Sequence, residues 1–250
     1  MISKSVPLRI VALFALLAVF AFLAPRLPSA NAESGYVLAV SWQPAFCETR
    51  PRVRECRSQK DGRADTRLFS LHGLWPQPVS KAYCGVPQAE IDADKAGRWR
   101  DIGMERLPDA LWNRLRTAMP GTASHLDRHE WLKHGTCMAG VDPVGYFEKS
   151  LALLEALNGT PVRDLFVANI GRRLTGNEIR AAFDETFGAG AGKRVRIVCV
   201  QDGNRRLISE LTLGLTGEIG RAPDLAALIA AARPTDPGCP GGIVDPAGLQ

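Results

Sequence analysis

The sequence predicts a single disulfide-bonded α+β domain, and three observations carry that reading. Strand-like runs stand near both ends of the chain, a block of helical periodicity lies between them, and six cysteines follow an apolar N-terminal leader. Helices gathered between strands that can pair antiparallel fit this class better than a strict strand–helix alternation does.

The leader comes first. Lys4 and Arg9 precede an apolar run from Ile10 to Ala24, and Ala30-Asn31-Ala32 offers small residues where a signal peptidase reads. This pattern predicts a cleaved secretory signal over residues 1–32 and a mature domain over 33–250. The run is shorter than the ~20 residues a membrane-spanning helix needs. The expected product is therefore exported to the periplasm or the extracellular medium and is not held in a membrane.

Removing Lys4, Arg9 and Arg26 leaves 28 basic against 26 acidic residues. So small an excess does not argue for nucleic-acid binding, because a basic footprint must be localised to act. All six cysteines (Cys47, Cys56, Cys84, Cys137, Cys199, Cys239) lie in the exported part, which implies disulfides. Six cysteines allow about 15 pairings. Cys47 and Cys56 are near enough in sequence to close a small loop. No C-x-x-C occurs, so zinc-ribbon and thioredoxin-like readings lack support.

In chain order, Tyr36 to Trp42 reads as a strand. Arg50 to Asp65 reads as a charged surface loop, and Leu68 to His72 as a second strand that stops at Gly73 and Pro76. Pro78 to Gly103 shows no period and is expected to be irregular. Asp109 to Met119 places Leu111, Trp112 and Leu115 at helical spacing before Pro120-Gly121. Ser124 to His134 is expected as a helix capped by Ser124. Asp142-Pro143 starts another, with Tyr146, Phe147, Leu151, Leu154 and Leu157 as its apolar stripe. Thr175 and Glu178 form a capping box for a helix to Phe187. Lys193 to Val200 and Leu207 to Leu215 alternate as strands around an Asp202-Gly203-Asn204 turn, and Leu225 to Ala232 is a last short helix.

Three of the four histidines stand in two short segments, Leu71-His-Gly-Leu-Trp-Pro-Gln77 and His129-Glu-Trp-Leu-Lys-His-Gly-Thr-Cys137. On a helix, His129 with Lys133 and Glu130 with His134 are i,i+4 neighbours. A zinc site of the H-E-x-x-H type needs a histidine where Lys133 stands. His134, five residues on, lies about 140° around the helix from His129, so metal ligation is disfavoured. Two imidazoles, a carboxylate and an ammonium suit metal-free cleavage of RNA instead. There the ribose 2′-hydroxyl attacks its own phosphodiester while two histidines move the protons. Trp75 could stack on a base.

These two segments resemble the active-site segments of the ribonuclease T2 family of secreted, broadly specific endoribonucleases. The early Leu-Ala-Val-Ser-Trp-Gln-Pro-Ala-Phe-Cys and late Val-Arg-Ile-Val-Cys strands are similar as well. The resemblance implies a central antiparallel sheet flanked by helices. It implies His72 and His134 as acid–base catalysts, Glu130 and Lys133 as transition-state stabilisers, His129 as a phosphate ligand, and Trp75 in the base site. It also implies bridges Cys84–Cys137 and Cys199–Cys239, with Cys47–Cys56 as in the bacterial branch. The expected enzyme needs no cofactor or metal, acts on RNA but not DNA, works as a monomer, and uses His134 as the first base and His72 as the first acid. Two alternatives make other predictions: a non-catalytic RNA-binding protein would retard RNA without shortening it, and a secreted zinc hydrolase would carry metal.

Overall fold

The computed structural model describes residue 1 and residues 35–78 and 80–250. The leader's apolar run and the cleavage site after Ala32 lie outside the described residues. Among the described residues, no helix is long and apolar enough to cross a membrane.

Strand β1 (Gly35–Ser41) buries Leu38, Ala39 and Val40 in succession. Such an unbroken apolar run suits a strand with neighbours on both edges and cover on both faces. One neighbour is β2 (Ser70–Pro76), reached after helices α1 (Gln43–Thr49) and α2 (Arg54–Arg57). The Arg50–Asp65 region is thus not a plain loop, because α2 and a turn of 3-10 helix at Ala64–Thr66 interrupt it. Strand β2 does not stop at Gly73 but runs through it to Pro76. Antiparallel bonding to β1 continues there, and Pro76 closes the strand.

The polar stretch expected to be irregular contains α3 (Gln88–Lys95). It lacks an apolar stripe, yet Gln88-Ala-Glu-Ile-Asp-Ala-Asp-Lys95 is rich in good helix formers. After it, α4 (Asp109–Ala118), α5 (Leu126–Lys133), α6 (Pro143–Asn158), α7 (Pro161–Ala168) and α8 (Gly176–Phe187) form the helical block, with strand β3 (Arg173–Thr175) just ahead of α8. Ser124 does not cap α5. Its hydroxyl donates to Glu55 Oε2 at 2.5 Å, and the N-cap is His125 in the left-handed region at φ 64°. The expected caps of α6 and α8 are present: Asp142 accepts from Gly145 N at 2.7 Å, and the Thr175–Glu178 box is complete.

Strands β4 (Val195–Asp202) and β5 (Arg205–Thr216) form the expected hairpin, with Gly203 at φ 53° supplying the positive backbone angle of a tight turn. Helix α9 (Leu225–Ala231) and strand β6 (Gly241–Ile243) complete the chain. Among the described residues the sheet order is β2-β1-β5-β6-β3, with β4 paired to the other edge of β5. All pairings are antiparallel except β5 with β6, which meet in parallel at Leu207 and Ile243. The three bridges are Cys47–Cys56, Cys84–Cys137 and Cys199–Cys239.

The core lies between this sheet and α6, whose Tyr146, Phe147, Leu151 and Leu157 are fully buried. Trp42 packs against Phe69 and Phe166, and its indole N–H donates to the Asp245 carbonyl at 2.8 Å. That bond ties the C-terminal segment to the end of β1.

Candidate active site

The two histidine-bearing segments meet where α5 crosses β2. His72 stands at a bulge: Ala39 pairs with Gly73 and Val40 with Leu71, so His72 is the extra residue on β2. Bulges re-aim side chains and recur beside active sites. A second bulge lies on β5, where Val198 pairs with Glu210 and Cys199 with Ile208, leaving Ser209 as the extra residue. Glu210 reaches across β1, and its Oε2 lies 2.5 Å from His72 Nδ1. An Nδ1–H donated to that carboxylate leaves Nε2 as the nitrogen facing the site.

Glu130 is the centre of the cluster, with its side chain only 1% exposed. Its Oε2 accepts the Trp75 indole N–H at 2.9 Å, while Oε1 lies 3.5 Å from His72 Nε2 and 3.9 Å from His129 Nε2. Gly73 makes this approach possible. A Cβ there would overlap the Glu130 carboxylate and lie 2.7 Å from Trp75 Nε1.

His129 is held from behind. Its Nδ1 lies 2.7 Å from Asp94 Oδ1, and the Tyr83 hydroxyl donates to Asp94 Oδ2 at 2.7 Å. Trp99 stacks on the His129 ring at 4.8 Å. His134 follows α5 as its C-cap and is buried, its ring 5.5 Å from Trp75 and 6.4 Å from His129. No side chain among the described residues hydrogen-bonds it. Lys133 makes no ion pair within 4.0 Å among the described residues, although its charge acts on His72, Glu130 and His134.

The environments drive the buried His134 and the half-buried His72 apart. Burial pushes His134 down, and the charges of Lys133, His129 and His72 push it further, to about 3. Burial also opposes charge on His72, but the Glu210 hydrogen bond and the charges of Glu130 and Glu210 outweigh it, so its pKa stands above the ordinary value. Burial raises the Glu130 carboxyl against the pull of His72, His129, Trp75 and Lys133. An imidazole held neutral beside one held protonated is an arrangement suited to paired proton transfer.

Of the residues singled out from sequence, His72, Trp75, His129, Glu130, Lys133 and His134 all converge here. Trp75 is half-buried between the two histidines, and its N–H is committed to Glu130. Glu210, Asp94, Tyr83, Trp99 and Gly73 were not anticipated. Glu210 had a faint signal, a carboxylate inside an otherwise apolar alternating strand. Asp94 had none, since it sits in a polar stretch without a period.

The segment before α3 is fastened to the site twice, by Cys84–Cys137 and by the Tyr83 N–H to Lys133 carbonyl bond at 2.9 Å. The disulfide closes a loop with a sequence separation of 53, worth about 4 kcal/mol on the chain-entropy account. A Cys84→Ser/Cys137→Ser variant is expected to lose activity at lower urea than it loses far-UV circular dichroism, because Tyr83 and Asp94 loosen first. Coincident midpoints would count against that coupling.

The bulged histidine, the buried carboxylate and the histidine-capped helix define the chain by class. The sequence profile of the ribonuclease T2 family matches residues 34–221, and the chain belongs to that family. Among its relatives is ribonuclease I of Escherichia coli (strain K12), 30% identical over 217 residues that cover 75% of this chain and 77% of that one. Ribonuclease Rh of Rhizopus niveus is 30% identical over 148 residues, covering 52% of this chain and 60% of that one. The fold is shared with the crystal structure of Japanese pear S3-RNase, at a TM-score of 0.55 and 18% identity, covering 84% of this chain and 98% of that one. RNase NT in complex with 5′-AMP matches at a TM-score of 0.51 and 22% identity, covering 85% and 98%.

Proposed function

We propose that this chain is an exported endoribonuclease that cleaves single-stranded RNA without a metal and with low base specificity. The observation that carries the reading is the convergence of His72, His129 and Trp75 on the buried Glu130 carboxylate, with the His134 ring packed 5.5 Å from Trp75. In the first step the neutral His134 removes the proton from the ribose 2′-hydroxyl. The 2′-oxygen bonds to phosphorus, the bond to the 5′-oxygen breaks, and protonated His72 delivers its Nε2 proton to that leaving oxygen. The products are a 2′,3′-cyclic phosphate and a free 5′-hydroxyl. Water then opens the cyclic phosphate to a 3′-phosphate with the two roles exchanged.

Lys133 supplies positive charge to the phosphoryl oxygens, and His129, oriented by Asp94, presents Nε2 to the phosphate. Removing one such preorganised donor typically costs about 3–4 kcal/mol of transition-state stabilisation. Glu130 orients the ring nitrogens around it. Trp75, half-buried with its N–H given to Glu130, lines the base site through its ring. A cleft of about 510 Å³ beside His72 and Trp99 has room for a base. The three disulfides support export through an oxidising compartment. The reading includes cleavage of the leader over residues 1–32, a monomeric state and no action on DNA, which lacks the attacking hydroxyl.

Digesting dinucleoside phosphates with and without EDTA tests this reading. Equal rates and a cyclic-phosphate product are expected, whereas loss of cleavage in EDTA or a 5′-phosphate product would overturn it.

Glu210 gives a further prediction. Because kcat/KM reports the free enzyme, its upper limb follows loss of the His72 proton. Glu210→Gln keeps an acceptor but removes the charge that favours protonated His72. The limb is expected to move to lower pH, with activity at neutral pH falling on the order of tenfold, within the ~10²–10⁴-fold a general acid contributes. An unmoved limb would show that Glu210 does not set the state of His72.

A further inference from the structure

The fourth histidine and a group of arginines lie outside this chemistry. Residues 50–67 hold seven basic side chains (Arg50, Arg52, Arg54, Arg57, Lys60, Arg63, Arg67) against three acidic ones (Glu55, Asp61, Asp65). This local excess exceeds that of the whole exported part, so the basic charge is concentrated on one lobe. The Cys47–Cys56 bridge pins the lobe at its base. The Ser124–Glu55 bond ties α2 to the turn that carries His125. From the other side, Arg128 on α5 donates to the carbonyls of Arg100 at 2.5 Å and Ile102 at 2.9 Å.

These ties bring Arg128, Arg54 and Arg100 around His125, whose pKa is lowered first by desolvation and then by their charge. Arg50, its guanidinium 5.2 Å from the centre of the Phe46 ring, extends the group to the wall of the cleft that also contains His72, Trp99, Ser124 and Leu126. Arg50, Arg54 and Arg100 are exposed, and among the described residues none of the four arginines pairs with a carboxylate within 4.0 Å. Repelling cations held together by these ties, beside a cleft lined by Arg50 and His72, match an extended polyanion.

We infer that Arg50, Arg54, Arg100, Arg128 and His125 form a binding rim for the phosphodiester backbone of RNA beyond the nucleotides at the cut. The inference rests on the ribonuclease reading and deepens it. Since His72 lines the cleft and protonates the leaving 5′-oxygen, the strand that reaches the rim is the part 3′ of the cut. Arg50 stands nearest the cut, and Arg54 and Arg100 take phosphates further along.

The test pairs binding with cleavage. Binding uses a 2′-O-methyl oligonucleotide of ten residues, which carries the phosphates but has no free 2′-hydroxyl. Cleavage compares a dinucleoside phosphate with the same step extended by four nucleotides on the 3′ side or on the 5′ side. For Arg54→Ala/Arg100→Ala, the slope of log affinity against log salt is expected to flatten by about 1.4, two phosphate contacts at ~0.7 each on a single strand. The advantage of the 3′-extended substrate over the dinucleoside phosphate is expected to fall at least fivefold, and that of the 5′-extended substrate less than twofold. An unchanged salt slope would overturn the rim. Equal loss on all three substrates would also overturn it, since the variant would then be acting on the site or the fold. His125 provides a second readout: bound phosphates should raise its NMR titration midpoint, and a midpoint unmoved by saturating oligonucleotide contradicts the inference. If the unaltered protein binds the oligonucleotide but cleaves nothing, the ribonuclease reading fails while the rim stands.

Discussion

His72→Ala and His134→Ala are each expected to lower kcat/KM on a dinucleoside phosphate by about 10²–10⁴-fold, the usual contribution of a positioned acid or base. The double variant is expected to lose much less than the product of the two, because groups that act as one unit are not additive. The variants should differ in pH dependence. The lower limb depends on a neutral His134, whose pKa is pushed to about 3 by burial and the neighbouring cations, and the upper limb on a protonated His72. His72→Ala should therefore abolish the upper limb, and His134→Ala the lower one. Kinetics on a defined dinucleoside phosphate between about pH 2 and pH 9 measure both effects. Losses below tenfold in both single variants would remove these residues from catalysis.

Gly73→Ala is expected to cost about 10²-fold or more in kcat/KM and about 1–3 kcal/mol of stability, the usual penalty of forcing atoms into a packed interior. The added methyl would overlap the Glu130 carboxylate. Glu130 is buried and cannot swing into water without surrendering the Trp75 N–H, and a buried donor left unpaired costs roughly 1–3 kcal/mol. Moving Glu130 also changes the distances to His72 and His129, so the effect on rate should exceed the effect on stability. Gly73 cannot retreat either, because it is paired with Ala39 in the sheet. Thermal unfolding alongside single-turnover rates separates the two effects. A variant within twofold of the unaltered rate would mean that Glu130 is not held where the structure places it.

The fold was legible wherever periodicity and end signals coincided. Asp142-Pro143 and the Thr175–Glu178 box mark their helices because a cap is a local bond between residues three apart. The hairpin at Gly203 is local in the same sense. Helix α3 was missed because Ala89, Ile91 and Ala93 alternate with polar residues, so no stripe at helical spacing announces it. Strand β6 was missed because three residues, two of them glycine, carry too little pattern. Ser124 looked like a cap by spacing, but its hydroxyl went to Glu55, 69 residues away in sequence.

The candidate site divides along the same line. Six of its residues stand in two dense segments and could be read directly. Glu210 stands 138 residues from His72 and Asp94 35 residues from His129, so their pairing depends on sheet order and helix placement. The bulge that turns His72 toward Glu210 is likewise a register effect, invisible until β1 and β2 are paired.

This protein is expected to hold a buried His134 and a half-buried His72 in opposite protonation states, and NMR titration of the two rings in the free protein tests that most directly. The account predicts that His72 titrates above the ordinary imidazole value while His134 stays neutral down to about pH 3. A protonated His134 beside a neutral His72 at pH 6 would contradict it.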